Sequence, residues 1–173
     1  MTIAQTLIEE FEVQAPVTRR FLERLPADKL TWKPHAKSMS AGQLAFHLAY
    51  VPGDTAKFVM ANPAPAPDFS ALDIFPQPPS HGAILDRLDE SVATVRDVLP
   101  RFSDDDMRAT WRLVAGEREL VAMPRGAFLR NIMLNHWYQH RGQFSVYLRL
   151  LGVPVPSSWG PSADETVGFT KSA

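Results

Sequence analysis

Two histidines, His136 and His140, are the residues of this chain whose type and spacing most clearly allow chemistry. On a helix, a separation of four positions puts both rings on one face, about one turn apart. A third histidine, His47, lies in another segment with helical periodicity, among the apolar residues that mark its inward face. Three imidazoles that meet from two helices would form a metal site with one coordination position left open.

The alternative is that these histidines are core residues held by ordinary hydrogen bonds. Each ring within an apolar stripe needs a polar partner, and one shared cation would serve all three. An all-imidazole set suits zinc, nickel, copper or ferrous iron, of which we expect zinc or nickel. The lack of carboxylate ligands disfavours magnesium and calcium. A metal ion with an open position would lower the pKa of a bound water or thiol, or polarise a carbonyl.

Other polar residues could take part in such a site or lie apart from it. Gln43 precedes His47 by one turn, where it would touch a ligand or cap the helix together with a preceding serine. Asp54 follows His47 by two turns and is either an acid–base or ligand-orienting group or, as we favour, a solvated carboxylate. His35 and His81 are outside the apolar stripes, so we predict both at the surface.

Composition limits the possible functions. The 173 residues are 45% hydrophobic and 21% charged, which predicts one domain over residues 1–173 with its own core. A net charge of −1 without basic runs argues against nucleic acid or an anionic membrane as partner. The absence of cysteine excludes disulfides and thiolate sites. No signal peptide or spanning segment is indicated, so we expect a cytoplasmic protein.

Apolar residues at helical spacing predict four helices. These are residues 2–25, 40–59, 80–99 and 125–151. Pro16 should kink or split the first helix, and Pro52 should bend the second. The proline-rich residues 62–79 predict an extended crossover, and residues 109–122 a small hairpin. The expected fold is therefore all-α: a four-helix bundle with a long crossover between helices 2 and 3 and a small β-hairpin between helices 3 and 4.

The fourth helix carries further residues that need a role. We predict that Arg141 faces solvent or a dimer partner, and that Gly142 permits the close approach of another helix, since glycine costs about 1 kcal/mol within a helix. Trp137 and Tyr138 lie off the main apolar stripe. We expect them to pack in the core, with a subunit contact as the alternative.

The motif around His47 (residues 43–48) and the His136, His140, Arg141, Gly142, Gln143 pattern resemble the DinB/YfiT family of metal-binding four-helix proteins. Residues 32–34 and 159–165 resemble its connector and tail. The resemblance implies an up-down-down-up bundle, a divalent metal held by the three histidines, and a homodimer. The relatives include thiol S-transferases that use low-molecular-weight thiols, and mycothiol-dependent isomerases.

The open three-histidine set and the resemblance together favour a metal-dependent thiol S-transferase that acts on small molecules. In this reaction a metal-bound thiol would attack an electrophile. The first alternative is a metal-dependent hydrolase in the same pocket, for which the sequence offers no clear general base. The second is a non-catalytic, stress-related protein that binds a metal or a small molecule. We expect a small-molecule partner, such as a low-molecular-weight thiol, and neither nucleic acid nor membrane.

Overall fold

The computed structural model describes residues 1–68 and 75–165 and is mainly helical, with a small three-stranded sheet. The first helices are α1 (Ile3–Glu23), α2 (Ala41–Phe58), α3 (His81–Val98) and the short α4 (Asp104–Arg108), with 3₁₀ turns at Ala27–Lys29 and Leu99–Arg101. The strands are β1 (Ala64–Pro65), β2 (Thr110–Ala115) and β3 (Arg118–Pro124). The final helical stretch is α5 (Arg125–Phe128), a π-helix (Leu129–His136) and α6 (Trp137–Leu150). Among residues 1–68 and 75–165, none of the helices combines the length and the apolar character that a membrane span requires.

Helix α2 lies at the centre of the packing. It contacts α3 on one side and the π-helix and α6 on the other, while α1 packs against both α3 and α6. The buried apolar core comes from all of these helices, with Leu44 and Leu48 of α2 fully enclosed. The four predicted helices are therefore present as packed elements, and their up-down-down-up order of directions stays a prediction.

The start of α2 is fixed by the predicted capping box. The Gln43 backbone N–H donates to Ser40 Oγ at 3.1 Å, and the Ser40 N–H donates to Gln43 Oε1 at 2.9 Å. These bonds satisfy backbone donors that the first turn of a helix otherwise leaves without partners. The box sets the register of α2, and with it the face on which His47 lies.

The sheet contains one strand more than the predicted hairpin of the otherwise all-α fold. The predicted hairpin is present as β2 paired antiparallel with β3, and β1 adds a third strand parallel to β2. The β1 strand lies within residues 62–79, for which we predicted an extended crossover and no strand in particular. It has only two residues and ends on a proline, so the sequence has no alternating apolar pattern that would indicate a strand. Residues 69–74 of the crossover lie outside the described part.

The prolines do not split their helices, since α1 and α2 each run unbroken past Pro16 and Pro52. Pro52 has no N–H to donate to the Leu48 carbonyl four residues earlier. The Trp137 indole N–H donates to that carbonyl instead, at 2.8 Å in a buried position. The next N–H, of Gly53, donates to Ser91 Oγ at 2.6 Å. These two hydrogen bonds beside Pro52 connect α2 to both α6 and α3.

The close approach of helices occurs at Gly53 rather than at Gly142, contrary to the prediction. A Cβ atom built at Gly53 would lie 2.7 Å from Ser91 Cα, whereas one at Gly142 would meet no atom within 4 Å. The reason is that Gly53 lies in the tight α2–α3 contact, while Gly142 is an exposed residue of α6 beside open space.

Two alanine substitutions should therefore have opposite effects on stability. We expect Gly53→Ala to lower the free energy of unfolding by about 1–3 kcal/mol, because α2 and α3 must separate to admit the methyl group. Gly142→Ala should raise it by up to about 1 kcal/mol, since alanine is the better helix former. Urea unfolding of both variants beside the wild type measures this. Equal effects in the same direction would contradict the assignment of the close contact.

Candidate metal centre

The two histidines of the C-terminal stretch lie where a π-helix joins a regular α-helix, whereas one regular helix was predicted over residues 125–151. His136 is the last residue of the π-helix, and His140 lies in the first turns of α6. A π-helix has i→i+5 hydrogen bonds and often occurs at functional sites. The apolar spacing of these residues fits an α-helix well enough that the wider turn leaves no separate signal in the sequence.

The structure brings His47, His136 and His140 together in one cluster. Nε2 of His136 lies 2.6 Å from Nε2 of His140 and 3.5 Å from Nε2 of His47. One ring nitrogen from each histidine lies within 4.8 Å of the others. His47 is buried, and the other two are half-buried. The cluster is therefore compatible with a single metal ion between the three Nε2 atoms.

Two residues to which we assigned no role in the site form hydrogen bonds with the outer nitrogens of the rings. His140 Nδ1 lies 2.9 Å from Gln143 Oε1, and His47 Nδ1 lies 2.6 Å from the Tyr50 hydroxyl. Because Gln143 Oε1 can only accept, His140 carries its proton on Nδ1 and directs the Nε2 lone pair at the cluster. Partners of this kind orient the histidine ligands of metals. Each partner is three residues after its histidine, a spacing that could have identified it.

The electrostatics of the cluster suit a cation. Burial, with the charges of His140 and His136, lowers the pKa of His47 to about 3. Burial, followed by the charge of His140, also lowers the pKa of His136. These lowered pKa values favour the neutral rings of His47 and His136, whose nitrogen lone pairs a cation could share. His136 Nδ1 is buried without a hydrogen-bond partner among the described residues. A set of three imidazole nitrogens is compatible with a divalent transition-metal ion.

A cavity of about 350 Å³ opens beside the cluster, with His47 and His136 in its wall. Most of its lining is apolar and comes from α2, the sheet and the π-helical region. These residues are Val51, Phe58, Pro67, Leu113, Phe128 and Ile132. Polar atoms come from Tyr50, Asp54 and Thr55. The cavity has the size of a small-molecule site and gives access to His47 and His136.

Neither Gln43 nor Asp54 belongs to the histidine cluster. Gln43 forms the capping box, and its Nε2 donates to the Phe75 carbonyl at 2.7 Å. The Phe75 ring packs edge-on against His47 at a centroid distance of 5.3 Å, so Gln43 contacts a residue that packs on the site. Asp54 is about half exposed, lines the cavity and forms an ion pair with Arg87.

The remaining histidines lie apart from the cluster. His35 is exposed, in agreement with its predicted place at the surface. His81 is half-buried, which corrects the prediction in part, because its Nε2 donates to the Leu22 carbonyl at 2.9 Å. This hydrogen bond connects the N-terminal turn of α3 to the C-terminal end of α1.

Arg141 is buried, with 2% of its surface exposed, so the prediction of a solvent or dimer contact is wrong. Its guanidinium donates to Gln14 Oε1 at 2.8 Å and to Thr18 Oγ1 at 3.2 Å. The error arose because α6 packs against α1 as well as α2, so its buried face is wider than the histidine stripe. Trp137 is buried and lies 5.3 Å from the Phe11 ring, which confirms the favoured role in core packing.

The chain belongs to the DinB family, whose family model matches residues 1–166. It is similar to the uncharacterized protein YrdA of Bacillus subtilis (strain 168), with 26% identity over 164 residues that cover 94% of this chain and 91% of YrdA. Among solved structures, it resembles a DinB-like protein from Bacillus cereus ATCC 10987, with a TM-score of 0.67 and 20% identity, covering 90% of this chain and 97% of that one. A member from Exiguobacterium sibiricum 255-15 gives a TM-score of 0.62 at 21% identity, with coverage of 91% and 97%. At these identities the structural likeness shows the fold.

The lowered histidine pKa values predict how the stability of the metal-free protein depends on pH. His47 takes up a proton near pH 6.5 in the unfolded chain but only near pH 3 in the folded one. The unfolded state therefore binds more protons between these values, and the free energy of unfolding should fall as the pH drops from about 6.5 towards 3. Urea unfolding with chelator across this range measures the slope. His47→Gln should flatten it and His35→Gln should not; an unchanged slope in His47→Gln would contradict the assignment.

Proposed function

We propose that this protein binds one divalent metal ion, zinc or nickel, through Nε2 of His47, His136 and His140, and uses it to transfer a small thiol to an electrophile. The observation that carries the proposal is the convergence of three Nε2 atoms beside a cavity. Ferrous iron and copper are the alternative ions for this donor set. Membership of the DinB family supports a metal site.

The residues of the chain would perform separate parts of this reaction. When bound, a divalent ion lowers the pKa of a thiol in its open position, so that the thiolate form prevails at neutral pH. Tyr50 and Gln143 hold the rings of His47 and His140 in position. The apolar cavity takes the carbon skeleton of the electrophile and excludes water from it. The sulfur–carbon bond forms as the bond to the leaving group breaks, and the thiol proton passes to solvent.

The two alternative functions, hydrolysis and binding without catalysis, make different demands on the same cavity. A hydrolase needs a base for the attacking water, and Asp54, a carboxylate in the cavity wall, is paired with Arg87. The described cavity therefore favours transfer to an apolar electrophile over hydrolysis. A non-catalytic protein would bind the metal and the ligand without turnover.

The test uses purified protein stripped of metal and reloaded with zinc or nickel. We expect conjugation of a low-molecular-weight thiol to an aryl halide only in the loaded protein, with loss of this activity in His140→Ala and its retention in His35→Ala. Esters, amides and lactones are offered in parallel. Activity that His140→Ala leaves unchanged would refute the transferase proposal. Hydrolysis of an ester without conjugation of the thiol would show a hydrolase. Bound metal without turnover of any substrate would show a binding protein.

We also propose, from the family resemblance, that the protein forms a homodimer with the bundle helices ordered up-down-down-up. Sedimentation equilibrium of the 19.3 kDa chain tests the first part. A mass of one chain at all concentrations would refute the dimer and leave the metal proposal untouched.

A further inference from the structure

A second cavity, of about 110 Å³, lies between α1, α6 and the C-terminal segment at residues 155–165. Its walls include Tyr138, Arg141 and Gly142 of α6, and Ser158 and Trp159 of the C-terminal segment. It shares no lining residue with the cavity beside the histidines. The function proposed above makes no use of it.

Arg141 brings a buried positive charge to this cavity. Its hydrogen bonds run from Nη1 and Nη2 to neutral oxygens of Gln14 and Thr18, and its guanidinium carbon lies 5.3 Å from the centre of the Tyr138 ring. Within residues 1–68 and 75–165, no carboxylate forms an ion pair with it. A fully buried arginine is rare unless it is paired with an anion. Of its five N–H groups, that of Nε is in none of these hydrogen bonds.

Gly142 leaves the cavity open. A Cβ atom at this position would meet no atom within 4 Å, and glycine in a helix costs about 1 kcal/mol against alanine. Helix packing therefore gives no reason for glycine here. The space beside it is part of the cavity wall that Arg141 also lines.

The C-terminal segment is fixed over the cavity by charges. Asp164 pairs with Arg149 of α6, and Glu165 pairs with Arg20 and Arg24 at the end of α1. Further bonds run from the backbone N–H groups of residues 155 and 157 to these two carboxylates. The segment that supplies Ser158 and Trp159 is thus held in place by α1 and α6 together.

We propose that this cavity is a binding site for a small oxyanion, a carboxylate or phosphate group that pairs with the guanidinium of Arg141. The volume suits a single such group, and Ser158 in the wall carries a hydroxyl that can be a further donor, whereas the Ser145 hydroxyl already donates to the Gly142 carbonyl at 2.6 Å. The anion supplies the negative charge that the described surroundings of Arg141 lack. Carboxylate and phosphate share this chemistry, and separate probes distinguish them.

The experiment follows the Arg141 Nε–H and the Gly142 backbone N–H in ¹⁵N NMR spectra of the full-length protein. The probes are acetate and methyl phosphate, titrated at constant ionic strength with chloride as the blank. We expect saturable shifts of both signals, and the stronger probe identifies the chemical group. Replacing Arg141 itself would leave Gln14 and Thr18 without their hydrogen-bond partner and could disturb the fold. The test variant is therefore Gly142→Leu, whose side chain fills the cavity.

In Gly142→Leu we expect the affinity to fall about tenfold or more, while Val146→Leu, a change on the exposed face of α6, leaves it unaltered. The spectrum of each variant shows whether the fold is kept. If Gly142→Leu binds the anion as tightly as the wild type does, the probe is an adventitious ion only, and the proposed site is refuted. The absence of a saturable shift with either probe refutes it as well. Neither result bears on the histidine cluster.

Discussion

Replacing either histidine of the C-terminal stretch, His136 or His140, with alanine is expected to weaken zinc binding by about 100-fold or more. Structural zinc sites with four ligands contribute about 10–16 kcal/mol, so the loss of one ligand removes about 3 kcal/mol. The three Nε2 atoms form one cluster, and His47→Ala should therefore have a similar effect. Competition with a chromophoric chelator at pH 7 measures the dissociation constants.

Two control variants give this prediction a graded form. His35→Ala changes an exposed histidine outside the cluster and should leave zinc affinity unchanged. Gln143→Met removes the acceptor for His140 Nδ1 and should cost about 10- to 100-fold, the range found when the partners of ligand histidines are replaced. Equal affinity in His140→Ala and His35→Ala would show that the histidines do not hold the ion.

The second large effect concerns Trp137. We expect Trp137→Phe to lower the free energy of unfolding by about 2–4 kcal/mol. The Leu48 carbonyl, which Pro52 deprives of its helical donor, would lose the indole N–H and stay buried without a partner, a cost of about 1–3 kcal/mol. The smaller ring also leaves a void in the core. Trp159→Phe, at a side chain with 68% exposure, should change stability by about 0.5 kcal/mol or less.

A double-mutant cycle separates the hydrogen bond from the packing. Pro52→Ala restores an N–H that can donate to Leu48, so Trp137→Phe should cost about 1 kcal/mol less in that background. The free energies of unfolding of the wild type, both single variants and the double variant give the coupling. A cost of Trp137→Phe that is the same in both backgrounds would show that the indole contributes by packing and not through the carbonyl.

The histidine cluster could be predicted because it depends on local spacing. His136 and His140 share a helical face at any period near four residues, so even the unexpected π-helix keeps them together. His47 followed from its place among apolar residues of α2, whose start the capping box fixes. The partners Tyr50 and Gln143 were missed because a residue three positions away on a helix is usually just a neighbour.

Other features depended on contacts that the sequence does not reveal. Arg141 was expected outside because charged residues rarely lie in a core, and its burial required Gln14 and Thr18 of α1, far away in the chain. The Pro52 position is satisfied by Trp137, from another helix. Strand β1 has two residues, too few for a periodic pattern. All three features depend on contacts between residues that are far apart in the sequence.

X-ray absorption at the zinc edge, on protein stripped of metal and reloaded with one equivalent, tests the central claim most directly. We predict one bound ion per chain, with three imidazole nitrogens and one water oxygen at about 2.0–2.1 Å. The imidazole signal should decrease in His140→Ala. An ion that is retained with an unchanged first shell after replacement of His47, His136 and His140 together would contradict the account.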